Sequence, residues 1–377
     1  MVEIKSIQGE IIEYRVLRAL VMIFVVIGHC SYYTIAGPSE YGGINYAKTM
    51  AINGIADTDF HRWAEIFTAF IYSFHMPLFM AISGAVFELG RQRGKYKNFF
   101  AFIRKKVQRL LIPFFCVTIL YSIPIKYISG YWIYSTNISR DIFVGQILIQ
   151  GNTHLWFLVT LFFEFVIFEL LAKIGVLSRR YTIVLLFILI LFNCISENLS
   201  INLLKYIFEF GLYFYTGIVF ECYRDKINNH ITSSWIRRLF ILYLLVLTMY
   251  IAWLIVVPSS FWLVDQVGKI IVAFSSMMIF YSIAFFAIKK GYLLGNLIAM
   301  ISRRSFGIYL YSDPINYAIL AIFLYAFTIS GFGNDSLSLG LYVSRFLFTF
   351  GGGLLMTKVI DFLAEYLRNN EVFRASR

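Results

Sequence analysis

The chain has 377 residues, of which 59% are hydrophobic and 14% charged, and its net charge is +12. Soluble domains carry about 25% charged and 45–50% apolar residues, so this composition excludes an ordinary soluble enzyme. Lys and Arg collect in the cytoplasmic loops of membrane proteins, which accounts for the positive charge without a nucleic-acid partner.

The expected fold is an all-α integral membrane protein, a bundle of about ten transmembrane helices with both termini cytoplasmic. A helix needs about 20 apolar residues to cross a bilayer. Such stretches cover 16–36, 64–88, 107–128, 154–173, 181–196, 203–222, 237–257, 267–288, 306–329 and 340–366. The loops and termini on one side of these spans hold 26 Lys and Arg, among them Lys5, Lys97 and Arg377. Those on the other side hold Lys48, Arg62 and Arg140. That asymmetry puts the richer side in the cytoplasm. No loop exceeds about 30 residues, so residues 1–377 read as a single transmembrane domain with no extra soluble domain. The first span has no A-x-A site and reads as retained. Cys30, Cys116, Cys194 and Cys222 show no C-x-x-C spacing, so neither a disulfide framework nor a metal site is expected.

Along the chain, the first span carries Arg18 near one end and His29 inside. Ionisable groups within a membrane are costly and mark function. The two are eleven residues apart, about 16 Å of helical rise and within about 20° of three full turns, so they share a face. His29 reads as a core histidine bonded to a neighbouring helix or as a catalytic residue, since histidine is readily poised as a general base near neutral pH. Gly37–Pro38, Gly42–Gly43 and Asn53–Gly54 are turn signals in the long outer loop 37–63. Pro77 sits mid-span, where it removes a helical hydrogen bond and kinks the helix. His75 beside it reads equally as a core partner or a site residue, and Ser83–Gly84 permits close helix approach.

Phe102 to Phe114 is a basic approach to the third span, with Arg104, Lys105, Lys106 and Arg109. It reads as a topological anchor or as a phosphate-binding patch, with Lys106 and Arg109 on one helical face. His154 and Trp156 open the fourth span from outside, Trp156 in an interfacial aromatic belt. Glu164, Glu169 and Glu209 are expected to face the bundle interior. In the ninth span, Asp313–Pro314 puts a carboxylate at an expected helix break lining a cavity.

Together these pieces resemble the integral-membrane acyltransferase family 3. Its Arg followed eleven residues later by His looks like Arg18 and His29. Its proline-and-Ser-Gly span looks like Phe74 to Gly84. Its Arg-x-x-Arg-x-x-x-Pro segment looks like Lys106 to Pro113, with Lys in place of the first Arg. Its Leu-Trp-Phe-Leu start matches Leu155 to Leu158, and its Ser-x-x-Ile-Tyr-Leu span looks like Ser305 to Leu310. Many members place a His just after that last motif, where this chain has Tyr311-Ser312-Asp313.

The resemblance implies a multi-pass plasma-membrane enzyme. It takes an acyl group, usually acetyl from cytoplasmic acetyl-CoA, and passes it to a sugar hydroxyl of a cell-surface polysaccharide or glycolipid. On that reading His29 is the catalytic residue, and Arg18, Arg104, Lys106 and Arg109 bind the coenzyme phosphates. His75, Ser83, Tyr309 and Asp313 support a cavity, and His154 and Trp156 lie on the acceptor side. The outer loops 37–63 and 129–153, with Tyr41, Tyr46, Trp63, Tyr131, Trp132 and Tyr134, frame the acceptor's route. Some members carry an extra extracytoplasmic hydrolase-like domain; none is expected here, so the membrane part is expected to finish the reaction. His29 acts either as general base or as a nucleophile forming an acyl-imidazole. Acetyl-CoA is the expected co-substrate, with no metal, and a homo-oligomer is compatible with the chain. Two other readings stay open: a transporter or flippase for a sugar or lipid-linked sugar, which usually shows a repeated half, and a structural partner in polysaccharide assembly.

Overall fold

The computed structural model describes residues 11–30, 34–36, 41–96, 98–151, 153–256, 262–291 and 296–375. Lys5, the Gly37–Pro38 turn signal, Lys97 and Arg377 lie outside them. Among the described residues, eight helices are long and apolar enough to cross a membrane. They are Asp59–Gln92, Phe99–Ile128, Arg179–Asn198, Asn202–His230, Ser233–Tyr250, Leu263–Lys289, Asn296–Phe327 and Asp335–Tyr366. The two remaining expected spans are helical as well. Ile12–Gly28 is 17 residues long, and Trp156–Lys173 carries Glu164, Glu169 and Lys173. The chain is an all-α integral membrane protein.

Four expected spans take a different local form, each for a physical reason. The first, expected over 16–36, ends as a helix at Gly28, and Thr34–Ala36 pairs antiparallel with Gly43–Asn45 instead. The carbonyls released at that helix end, those of His29 and Cys30, are taken by the Arg345 guanidinium. The second span is two helices, Asp59–Tyr72 and His75–Gln92. Pro77 offers no N–H to the Ser73 carbonyl and its ring collides with that carbonyl, so the chain turns at Ser73–Phe74. In the third span, Val107–Leu111 and Thr118–Ser122 are single π-helical turns. Each closes just before a proline, Pro113 or Pro124, that cannot supply the next α-helical bond. The ninth span corrects the expected break at Asp313–Pro314: the helix Asn296–Phe327 continues through Pro314.

The described residues fall into two compact units, one within 1–21, 69–112 and 156–302, the other within 22–68, 113–155 and 303–377. In the first unit, His75–Gln92 and Asn202–His230 approach to backbone contact. A Cβ added to Gly84 would lie 1.9 Å from the Phe214 carbonyl oxygen, and one added to Gly217 would lie 1.9 Å from that of Ala81. The Ser83–Gly84 signal therefore does permit close approach, with Gly217 as its counterpart. Gly84→Val and Gly217→Val are each expected to destabilise the protein by at least ~1–3 kcal/mol, the cost of forcing side chains into a filled core. Thermal unfolding of detergent-purified variants checks this, and an unchanged midpoint would refute the contact. Glu164 and Glu169 are buried in this unit and Glu209 is half-buried, as charges inside a span should be.

In the second unit an aromatic core gathers Tyr46, Tyr131, Trp132, Tyr317, Phe323 and Phe332. It ties the segments around Tyr46 and Tyr131 to the helix Asn296–Phe327. This corrects the picture of the outer aromatic residues as one sugar-facing set. Tyr46, Tyr131 and Trp132 are buried, whereas Trp63 is 70% and Tyr134 79% exposed.

Candidate active site

Three separate stretches of the second unit meet at Asp313. His29 follows the last turn of the first helix, its amide donating to the Val25 carbonyl at 3.2 Å. Its Nδ1 lies 2.9 Å from Asp313 Oδ1. The His29 side chain is about a quarter exposed, at 26%, while that of Asp313 is 9% exposed. A carboxylate on Nδ1 holds the proton there and leaves the basic lone pair on Nε2.

On the other side of the carboxylate stands His154, buried, with Nδ1 3.6 Å from Asp313 Oδ2. Its Nε2–H donates to the Leu310 carbonyl at 3.2 Å. Pro314 explains that contact. Proline has no N–H, so the carbonyl four residues earlier, that of Leu310, loses its helical partner. The imidazole supplies the missing donor, and the helix continues. Tyr309 donates its hydroxyl to the His154 carbonyl from the same helix face. The sequence motif around Tyr309 and the departure at Asp313 thus meet at one imidazole.

A second layer balances the charge. Lys126 is fully buried and donates to Gln146 Oε1 at 2.7 Å. Its ammonium sits 4.7 Å from the Tyr131 ring centroid and 5.0 Å from that of Tyr317. Tyr317, one turn beyond Asp313 on the same helix, stands near the same carboxylate. Arg345, also buried, donates to the carbonyls of His29 at 2.8 Å and Cys30 at 2.7 Å and to Asn316 Oδ1 at 3.0 Å. One guanidinium therefore joins the end of the first helix to the helix that carries Asp313. A carboxylate flanked by two imidazoles, with one ring partly accessible, is suited to moving a proton at His29 Nε2.

Of the residues singled out from the sequence, the structure brings together His29, Asp313, His154 and Tyr309. His154 is an interior member of the centre rather than a residue at the acceptor's lip. Trp156 lies in the other unit, its ring 4.3 Å from Tyr206 and 5.1 Å from Phe210. His75 resolves as a core residue at the helix break, Nδ1 2.9 Å from the Ile71 carbonyl. Ser83 donates to the Phe79 carbonyl within its own helix. Arg18, Arg104, Lys106 and Arg109 also belong to the first unit. Arg104 and Arg109 are exposed and Arg18 is half-buried. Lys106 turns inward, its ammonium 3.1 Å from the Phe165 ring centroid, whereas Arg109 is exposed. Lys126, Gln146 and Arg345 were missed, although the rule that marked His29, a charge inside a span, applies equally to Lys126 and Arg345. Elsewhere in the second unit, His61 is held between two carboxylates, Nδ1 2.7 Å from Asp57 and Nε2 3.7 Å from Glu65.

A family model described as an acyltransferase domain, that of acyltransferase family 3, matches residues 11–363. No curated protein and no solved structure matches the chain.

Proposed function

Because the chain belongs to acyltransferase family 3 and is thus a membrane acyltransferase, we propose that it moves acetyl from cytoplasmic acetyl-CoA to a sugar hydroxyl on the outer face of the plasma membrane. The observation that carries this reading is the His29–Asp313 pair at 2.9 Å. With Nδ1–H directed at Asp313, Nε2 takes the proton of the sugar hydroxyl as its oxygen attacks the acetyl carbonyl. The C–S bond of the thioester breaks as the ester C–O bond forms. The proton on Nε2 then passes to the departing thiolate. Asp313 holds the ring in this tautomer and stabilises the imidazolium between the two transfers. His154 and Tyr317 keep the carboxylate in place, and Lys126 offsets its buried charge.

Arg18, on the same helix as the approach to His29, and the exposed Arg104 and Arg109 are proposed to hold the coenzyme phosphates. Guanidinium groups suit phosphate by their paired donors. Lys106, committed to the Phe165 ring, is a weaker candidate.

The test is sided acetylation. In sealed vesicles of known orientation, acetyl-CoA is expected to act only from the face bearing the 26 basic residues, with labelled glycan only on the opposite face. Labelling of an acceptor confined to the basic face would overturn the transmembrane direction. Absence of thioester turnover by the purified protein supplied with surface glycan would overturn the donor.

A further inference from the structure

On the outer loops of the second unit lies a cavity of about 440 Å³, lined by Tyr131, Tyr134, Ser135, Thr136, Arg140 and Asp141. Its walls are held by two hydrogen bonds between distant loops. Gly43 N–H donates to the Tyr131 carbonyl at 2.8 Å, and Trp132 Nε1–H donates to the Tyr41 carbonyl at 3.2 Å. Gly42 forms part of the lining at φ +100, and a Cβ there would meet Trp132 at 2.5 Å. The space is therefore built into the fold and falls within the usual range of ligand cavities.

Its chemistry is mixed in a particular way. Asp141 is buried, and among the described residues a hydroxyl bonds its side chain: Ser135 donates to Oδ2 at 2.6 Å. The Asn137 amide donates to that same Ser135 oxygen at 3.2 Å, so the carboxylate is held in position. An ionised carboxylate accepts at about four lone-pair sites, and burying one with a single neutral donor is costly. Asp141 thus presents acceptor capacity to the cavity. Tyr134 offers an exposed ring, against which the C–H face of a sugar can pack. Arg140 stands over the Tyr41 ring, 5.5 Å from its centroid, and supplies donors at the rim.

The cavity also borders the catalytic pair. Tyr131, which lines it, packs edge-on against Tyr317 with ring centroids 5.6 Å apart, and Tyr317 lies one turn from Asp313 on the same helix. One aromatic layer thus separates the cavity from the reacting centre.

We propose that this cavity is a binding subsite for an uncharged sugar residue elsewhere on the chain that carries the acylated one, so that the acceptor is a chain of sugars rather than a single one. Vicinal hydroxyls donate to Asp141, and the ring stacks on Tyr134. A uronate is disfavoured by the buried carboxylate. The proposal rests on the acyl-transfer reading for its purpose, but binding can be measured without it.

The probe is surface glycan extracted from cells lacking the protein, used intact and hydrolysed to monosaccharides, titrated into the full chain in lipid nanodiscs without acetyl-CoA. Intact glycan is expected to bind, and the monosaccharides at least tenfold more weakly. Asp141→Asn and Tyr134→Ala are each expected to weaken binding of the intact glycan at least tenfold. Tyr134 is a surface residue, so its variant keeps the test valid if Asp141→Asn fails to fold. Equal affinity of both variants and wild type, equal binding of monosaccharides, or no binding of intact glycan would each overturn the subsite. Loss of thioester turnover with this binding intact would overturn the donor reading and leave the subsite standing.

Discussion

Replacing His29 by alanine is expected to abolish acetyl transfer while the protein still inserts and folds. General acid–base catalysis by a positioned side chain typically contributes 10²–10⁴-fold, and His29 is the one imidazole of the centre that is partly accessible, at 26%. The chain at this point is also held through its backbone by Arg345, a contact that the substitution leaves in place. Asp313→Asn is expected to fall nearly as far. An amide at 2.9 Å from Nδ1 can donate to it, which reverses the tautomer and places the proton on Nε2, where the lone pair is needed. Both variants should keep the wild-type apparent KM for acetyl-CoA, because neither side chain is assigned to the coenzyme phosphates. Steady-state transfer with detergent-purified protein, together with a thermal midpoint, checks this. Normal turnover by a well-folded His29→Ala protein would remove His29 from the chemistry. A full-rate Asp313→Asn would reduce the pair to a structural contact.

Replacing Arg345 by methionine is expected to have the largest effect on stability. The substitution keeps approximate volume but strands three acceptors at once: the His29 and Cys30 carbonyls and Asn316 Oδ1. A buried acceptor left without a donor costs ~1–3 kcal/mol, and the summed loss is comparable with the ~5–15 kcal/mol by which typical domains are stable. Arg345→Lys keeps the charge but not the planar fork, and an ammonium cannot bond three acceptors in the same geometry. It is expected to fold with a lowered thermal midpoint and to lose kcat more than donor KM, because His29 is no longer held at a fixed distance from Asp313. A wild-type midpoint and rate for Arg345→Met would show that the guanidinium anchors nothing.

Much of this architecture is legible in residue order alone. Hydropathy decides that most of the chain is membrane-spanning helix, because lipid leaves every backbone group to be satisfied within its own segment. The cost of a charge in lipid marks His29 and Asp313 one at a time, and the Ser83–Gly84 pair marks a close helix contact. Local chemistry also marks Pro77, whose missing N–H breaks its span wherever no other donor stands nearby.

Only the tertiary structure decides what such groups do together. Pro314 carries the same missing N–H as Pro77, yet its helix continues, because His154, from a distant segment, donates to the released Leu310 carbonyl. The first helix ends at Gly28 rather than near Ala36, and the His29 and Cys30 carbonyls just beyond it are taken by Arg345, from a distant segment. Tyr131 and Trp132 look like surface aromatic residues in order but are core, while Asp141, unremarkable in order, becomes a buried carboxylate facing a cavity. Periodicity and hydropathy report how each segment meets lipid. They carry no information on which distant donor reaches which orphaned acceptor, and that pairing is what turns His29, His154 and Asp313 into one centre.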